Sequence, residues 1–526
     1  MGDAMAGTGD GASTGGPDRR AVLRMTSGAI AGALASEAAA AGAKAAVSGD
    51  IVTLDAVGLA RAIRERKLSC VEVMDACLDQ VERFNPAVNA IVALQDRGDL
   101  LRQAADRDRQ LARGDAVGPL HGFPHAVKDL RPVKGIRFTQ GSPIFRDVVA
   151  AADGLSVERL RRAGAIFIGK TNTPEFGLGS HTYNPVYGLT RNAYDPSKSA
   201  GGSTGGGAVA LALRMVPLAD GSDFGGSLRN PAGWNNVFGL RPSIGRVAEH
   251  GREDWLSSMG VTGPMARSVA DLALLLSVQA GYDARAPMSL EGDGARFAGP
   301  LGADVRGRRI AWAGDFGGFT PCEPGVLDVC RGALRSFEGL GCVVEDAFPD
   351  YPLEKVWRSF VRLRGWQQGG GLRELYDDPA RRPLLKAEAV FEVETGAGLS
   401  AYDVQADSVV RSDWSQAVRR FFERYDYLVL PTAQLFPFDA ELTWPRTIAG
   451  HTMQTYHEWM KAACLVTMSG CPALAAPAGF GPQGLAMGIQ IVGPVHAELA
   501  CLQLAAAYEA AAGDAIARLP PMLART

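Results

Sequence analysis

Two serines stand in glycine-rich turns. Ser203 lies in Gly201-Gly202-Ser203-Thr204-Gly205-Gly206-Gly207. Ser227 lies 24 residues on, in Gly221-Ser222-Asp223-Phe224-Gly225-Gly226-Ser227-Leu228-Arg229. A serine hydroxyl becomes a useful nucleophile only when a neighbour takes its proton. Glycine lets the backbone take positive φ and approach a ligand closely. Amides gathered in such a turn can bind an oxyanion. One glycine loop alone would be an ordinary flexible connection. Two of them, with Asp223 and Arg229 beside the second serine, point to acyl-transfer chemistry instead. A base is available upstream in His121-Gly122-Phe123-Pro124-His125-Ala126-Val127-Lys128-Asp129-Leu130. Phe123 to Val127 reads as a buried strand with Lys128 at its end. A lysine there either snorkels outward or is buried with a depressed pKa. A free lysine, near 10.4, is protonated at neutral pH and accepts no proton. Asp129 is either a charge partner or the start of the next turn.

Together the three stretches resemble the amidase signature family of serine hydrolases. The lysine segment is similar to the family's Gly-x-Pro-x-x-x-Lys-Asp. The first serine turn is similar to Gly-Gly-Ser-Ser-Gly-Gly, with Thr204 for the second serine. The second is similar to Gly-Thr-Asp-x-Gly-Gly-Ser-x-Arg, with Ser222 for the threonine. The resemblance runs from about Thr53 to about Ala511. It implies that Ser227 is the nucleophile, Ser203 a bridging serine and Lys128 the base. It also implies an oxyanion hole of the Phe224, Gly225, Gly226 and Ser227 amides, with Asp223 and Arg229 pairing to fix the turn. The implied fold is α/β: one large domain over residues 47–526, with a mixed β-sheet core covered by helices on both faces. Residues from about 290 to 425 would be its variable, specificity-shaping part. The implied reaction is hydrolysis of a carboxylic amide through an acyl-enzyme, with a small-molecule amide and water as partners, no cofactor and no metal. A homodimer is compatible with this reading. Phe224 departs from the family's usual threonine or isoleucine. His125 replaces an apolar residue and either tunes Lys128 or is a satisfied core histidine.

Rival chemistries remain open. Gly201-Gly202-Ser203-Thr204-Gly205 also fits the Gly-x-Ser-x-Gly nucleophile elbow, which needs a strand before it and a histidine after it. Tyr194 to Ser199 reads as a turn, and His250, His451, His457 and His496 have no motif context. Within the family, two alternatives stand: a carbamate, ester or cyclic-amide hydrolase, and the component of an amidotransferase that passes ammonia onto charged tRNA. Phe224 and the aromatic stretches near Trp444 and Tyr456 point to an apolar pocket.

The whole chain narrows this further. Of 526 residues, 47% are hydrophobic and 21% charged, the mix of a globular protein with a large core. A net charge of −3 gives no footprint for nucleic acid or an anionic membrane. The eight cysteines make no Cys-x-x-Cys pair, so free buried thiols are expected.

Along the chain, Thr53 is expected to cap a helix over 54–66, and Ser69 with Glu72 to form a capping box for the next, ended by Asn85-Pro86. Strands are expected over 165–170 and 216–219, with a helix over 206–214 between them. A second α/β section starts near Arg308, helices fill 350–425, and a hairpin precedes a helix over 497–512. Residues 1–46 read as a disordered tail and export signal. Asp18-Arg19-Arg20 is followed by a weakly apolar stretch to Ala35 and an alanine-rich run to Ala46. Paired arginines indicate the twin-arginine route, hence a periplasmic or secreted protein. Replacing Arg19 and Arg20 by lysines should leave the protein in the cytoplasm. Cell fractionation checks this, and unchanged export would remove the reading.

Overall fold

The computed structural model describes residues 50–524; the expected export segment lies outside them. Helix α1 (Ala56–Arg64) is capped by Asp55, whose carboxylate accepts from the Gly58 N–H; the expected cap was Thr53. Helix α2 (Cys70–Val88) has the expected capping box of Ser69 and Glu72. It buries Met74, Cys77, Leu78 and Val81 at helical spacing. Asn85-Pro86 does not end it. The helix runs on to Val88 and closes on Asn89 in the left-handed conformation. The Asn85 side chain works instead on the next element, binding the Ala90 and Ile91 amides and the Ile91 carbonyl.

That element is β1 (Ile91–Val92). Helix α3 (Arg97–Ala112), β2 (Pro124–Lys128), α4 (Leu155–Arg162) and β3 (Ile166–Thr171) follow. The three strands form a small sheet of their own, in the order β1-β3-β2. Lys128 pairs with Thr171 in it. Every residue of β2 and β3 is buried.

Helix α5 (Gly205–Ala212) leads to β4 (Leu218–Asp223). The strand starts later than expected and runs through Ser222 and Asp223. These two pair with Thr262 and Val261 across the sheet, so they are strand residues and not turn residues. Helix α6 (Asn230–Trp234), β5 (Phe238–Arg241), β6 (Val261–Ala266) and α7 (Val269–Gln279) complete the first half. The second half holds β7 (Arg309–Trp312), α8 (Val326–Gly339) and β8 (Val343–Asp346), then the helices α9 (Leu353–Asp377), α10 (Ala387–Ala397) and α11 (Ala401–Phe421). It ends with β9 (Tyr427–Pro431), α12 (Lys461–Ser469), the antiparallel pair β10 (Ala473–Phe480) and β11 (Ala486–Val492), and α13 (Glu498–Ala512).

These strands build one eight-stranded mixed sheet, ordered β8-β7-β9-β11-β10-β5-β6-β4. Pairing is parallel only among β8, β7 and β9 and antiparallel elsewhere. Helices α8 and α13 pack on β10, and α7 packs on β6. The alternating early strands therefore do not all join one sheet: β2 and β3 belong to the small sheet and β4 to the large one.

Helix α5 joins the two sheets. It packs on β3 and on β4, and all eight of its residues are buried. Its sequence, Gly-Gly-Gly-Ala-Val-Ala-Leu-Ala, is apolar on every side, as a fully enclosed helix must be. Gly206 is required there, because a Cβ would run into the Asn172 amide and the Ala90 carbonyl. All eight cysteines are free, and only Cys322 is less than fully buried. No helix among the described residues is long and apolar enough to cross a membrane.

Candidate active site

Lys128 ends β2 at the seam of the two sheets, where β2 lies against β4. Its side chain is 1% exposed, so the snorkelling alternative does not hold. Nζ lies 2.8 Å from Ser203 Oγ, 2.9 Å from Thr204 Oγ1 and 3.1 Å from Ser222 Oγ. The Ser222 carbonyl adds a longer contact at 3.5 Å. No carboxylate is among these partners. Burial, helped by the Arg131 guanidinium, pulls the Lys128 amine down to about 7. Hydroxyls donate or accept as required. Three of them can accept from an ammonium, or two can accept and one donate to a neutral amine. The shell therefore tolerates either protonation state.

Ser203 precedes α5 in a loop pinned from two sides. The Thr182 hydroxyl donates to the Gly201 carbonyl at 2.8 Å, and the Gly202 N–H donates to Asn230 Oδ1 at 3.1 Å. The Gly202–Ser203 peptide is cis. No strand runs into Ser203, which removes the nucleophile-elbow reading. Ser227 follows the end of β4 and is 7% exposed. The Thr204 N–H reaches the Ser227 carbonyl at 3.3 Å and ties the two loops together. Both serines line one cavity of ≈ 480 Å³, together with Ser222, Phe224 and Arg364.

Asp223 fixes the turn between them. Its Oδ1 accepts from the Gly226 N–H at 3.0 Å and its Oδ2 from the Leu228 N–H at 3.0 Å. Arg229 binds both oxygens, at 2.9 and 3.0 Å, as the sequence led us to expect. Arg241 is a second cation on the same carboxylate, at 3.1 Å, and was not foreseen. Burial works to raise the Asp223 carboxyl, but the two guanidinium groups outweigh it and hold it well below the usual carboxylate range. Arg229 continues to the Ala463 carbonyl, Thr467 and Gln490, anchoring the turn to α12 and β11. Because Asp223 takes the Gly226 amide, the expected oxyanion set narrows to Phe224, Gly225 and Ser227. A Cβ at Gly225 would be crowded, lying 3.3 Å from Cys464 Sγ and 3.4 Å from the Phe360 ring.

The remaining candidates sort clearly. His125 is a core histidine, with Nε2 3.0 Å from Asp220 Oδ1, and it is not among the hydrogen-bond partners of Lys128. Asp129 is not the partner of Lys128: it accepts from Thr139 Oγ1 at 2.6 Å and faces Lys170 at 3.9 Å. Phe224 lines the cavity, whereas Trp444 and Tyr456 do not. Tyr456 is buried and donates to Glu392, and Trp444 stacks on Arg446. The Thr204 and Ser222 hydroxyls are the functional groups that sequence reasoning passed over. Both were visible as polar residues beside the motif serine and Asp223.

A family model described as Amidase matches residues 72–502. The chain belongs to the amidase family. An acylamidase from Rhodococcus erythropolis is 34% identical over 460 residues, covering 87% of this amidase chain and 95% of that protein. A glutamyl-tRNA(Gln) amidotransferase component from Methylococcus capsulatus is 32% identical over 479 residues, covering 86% and 96%. Among solved structures, a bacterial aryl acylamidase of the amidase signature family matches with a TM-score of 0.81 at 29% identity, covering 87% and 96%.

The Asp223 cluster gives a direct prediction. Asp223→Ala leaves the buried guanidinium groups of Arg229 and Arg241 without their anion. Losing one partner of a buried ion pair costs about 3–5 kcal/mol. Chemical denaturation should register a loss of that size; a change under about 1 kcal/mol, the size of an exposed pair, would deny the cluster its role.

Proposed function

We propose that this amidase hydrolyses small carboxylic amides, Ser227 acting as nucleophile through Ser203 and Lys128. The observation that carries the reading is the buried Lys128 amine at 2.8 Å from Ser203 Oγ, in one cavity with Ser227. Neutral Lys128 takes the Ser203 proton while Ser203 takes that of Ser227. Ser227 Oγ attacks the carbonyl carbon, and the C=O electron pair moves onto oxygen. The Phe224, Gly225 and Ser227 amides hold that oxyanion; one such donor is worth about 3–4 kcal/mol. The relay then returns its proton to the amide nitrogen as the C–N bond breaks, because an amine leaves only when protonated. Water enters and the same relay frees the acid. The acylamidase likenesses support amide hydrolysis. The amidotransferase likeness favours a second reading, but a net charge of −3 and the Arg19-Arg20 leader weigh toward an exported hydrolase.

The roles of the two serines separate experimentally. Ser227→Ala removes the bond-forming atom, so fluorophosphonate labelling should vanish. Ser203→Ala removes a proton bridge, so slow labelling should persist at Ser227, with turnover down roughly 10²–10⁴-fold. Mass mapping decides, and label on Ser203 in the parent enzyme would reverse the assignment.

The pH profile tests the base. The relay needs Lys128 neutral, and its amine sits at about 7. On anilide substrates kcat/KM should therefore fall about tenfold per pH unit below that value and level off above it. The limb should disappear from the residual ester hydrolysis of Lys128→Ala. An unchanged limb there would assign the titration to another group.

A further inference from the structure

Arg364 of α9 lines the same cavity as Ser203 and Ser227. Its guanidinium is held along one edge. Nε donates to Glu392 Oε1 at 2.7 Å, and Nη2 only grazes the Tyr456 hydroxyl at 3.5 Å. Nη1 makes no hydrogen bond among the described residues. The Phe224 ring lies 4.8 Å from its central carbon, and Phe224 opens the turn that carries Ser227. The flat group is thus oriented by a buried carboxylate and an aromatic face, with donors left over.

The other charged groups of the cavity are engaged. Arg131 donates to the Leu130 carbonyl and Thr262, and its Nε sits 3.3 Å from Glu249. His250 pairs with Asp254 at 2.6 Å. Glu253 accepts from three amides of its own loop. Glu392 does not exhaust Arg364, because the same Oε1 also accepts from the Tyr456 hydroxyl and lies 2.9 Å from His457 Nε2, which is itself 3.1 Å from Arg364 Nε. The support is built in. Gly365 and Gly369 let α10 approach so closely that a Cβ at 369 would meet the Glu392 carbonyl, and this close crossing brings Glu392 against Arg364.

We infer that Arg364 is a specificity residue that selects amides bearing a carboxylate, which it binds through Nη1 and Nη2 while the amide carbonyl lies at Ser227. A guanidinium fork matches a carboxylate, and the charge-assisted pair is among the strongest protein hydrogen bonds. The inference rests on the hydrolase reading above. The carboxylate belongs either to the acyl part or to the amine part, and two substrate pairs separate these. Succinanilate against valeranilide places it on the acyl side. 4-Acetamidobenzoate against 4-ethylacetanilide places it on the amine side.

The parent should favour the anionic member of one pair by roughly 10- to 100-fold in kcat/KM, the range for hydrogen bonds to charged groups. Arg364→Gln should erase that preference and leave the neutral substrate within a few-fold. The double variant Arg364→Gln/Glu392→Gln removes the buried charge left behind and should behave the same way. Arg364→Lys should restore part of the preference. Equal loss on both members of a pair, in single and double variants, would make Arg364 a packing residue and overturn the inference. Turnover of the neutral anilides by the parent without any preference would overturn the inference alone. Inactivity of the parent toward every amide would overturn the hydrolase reading and the inference with it.

Discussion

A lysine amine held out of water among three hydroxyls and one carbonyl, with no carboxylate in reach, is the constraint on which this site depends. Taking a charged ammonium into an apolar interior is costly, and the group responds by releasing its proton more readily. A carboxylate within hydrogen-bond reach would reverse that response. The fold keeps one away: Asp129, next in sequence, turns to Thr139 and Lys170, and Asp220 is taken by His125. What surrounds Nζ is Ser203, Thr204 and Ser222. Two of these come from the loop before α5 and one from β4, so the shell exists only where the two sheets meet.

The second node is Asp223. One buried carboxylate collects two guanidinium groups and two turn amides. An isolated buried charge would destabilise the fold, but a network in which each member is hydrogen-bonded is tolerated and stiff. Its stiffness bears directly on the proposed chemistry, because the turn it fixes holds Ser227 and the amides proposed to hold the oxyanion. A hydrolase cannot let that turn wander, since preorganised donors act only when they already point at the developing charge.

The helical part over the site follows a different logic. Helices α9 and α10 meet through glycines at 365, 369 and 396, where backbone approaches backbone. That closeness brings Glu392 against Arg364 deep in the crossing. Phe360 and Phe224 then meet edge to face beneath it. Of this helix pair only Arg364 and Gln368 of α9 reach the cavity, and much of the remaining wall comes from residues between 244 and 289.

The sequence by itself determined whatever is written locally. Glycines at 201, 206, 225 and 226 mark where the backbone must bend or approach closely, and the serines stand among them because that chemistry needs bare amides. Ser69 with Glu72 announces α2, and the apolar run at 123–127 announces a buried strand ending in Lys128. Other features depend on partners far along the chain. Pro86 failed as a stop because α2 is held by its buried face, and β4 extends through Asp223 because β6 pairs with it there. Thr204 and Ser222 gained importance only when the fold brought both hydroxyls to one nitrogen. Arg241 sits 18 residues from Asp223 and Glu392 28 from Arg364. No short-range pattern couples such residues, because burial and long-range packing choose which charges must share a partner.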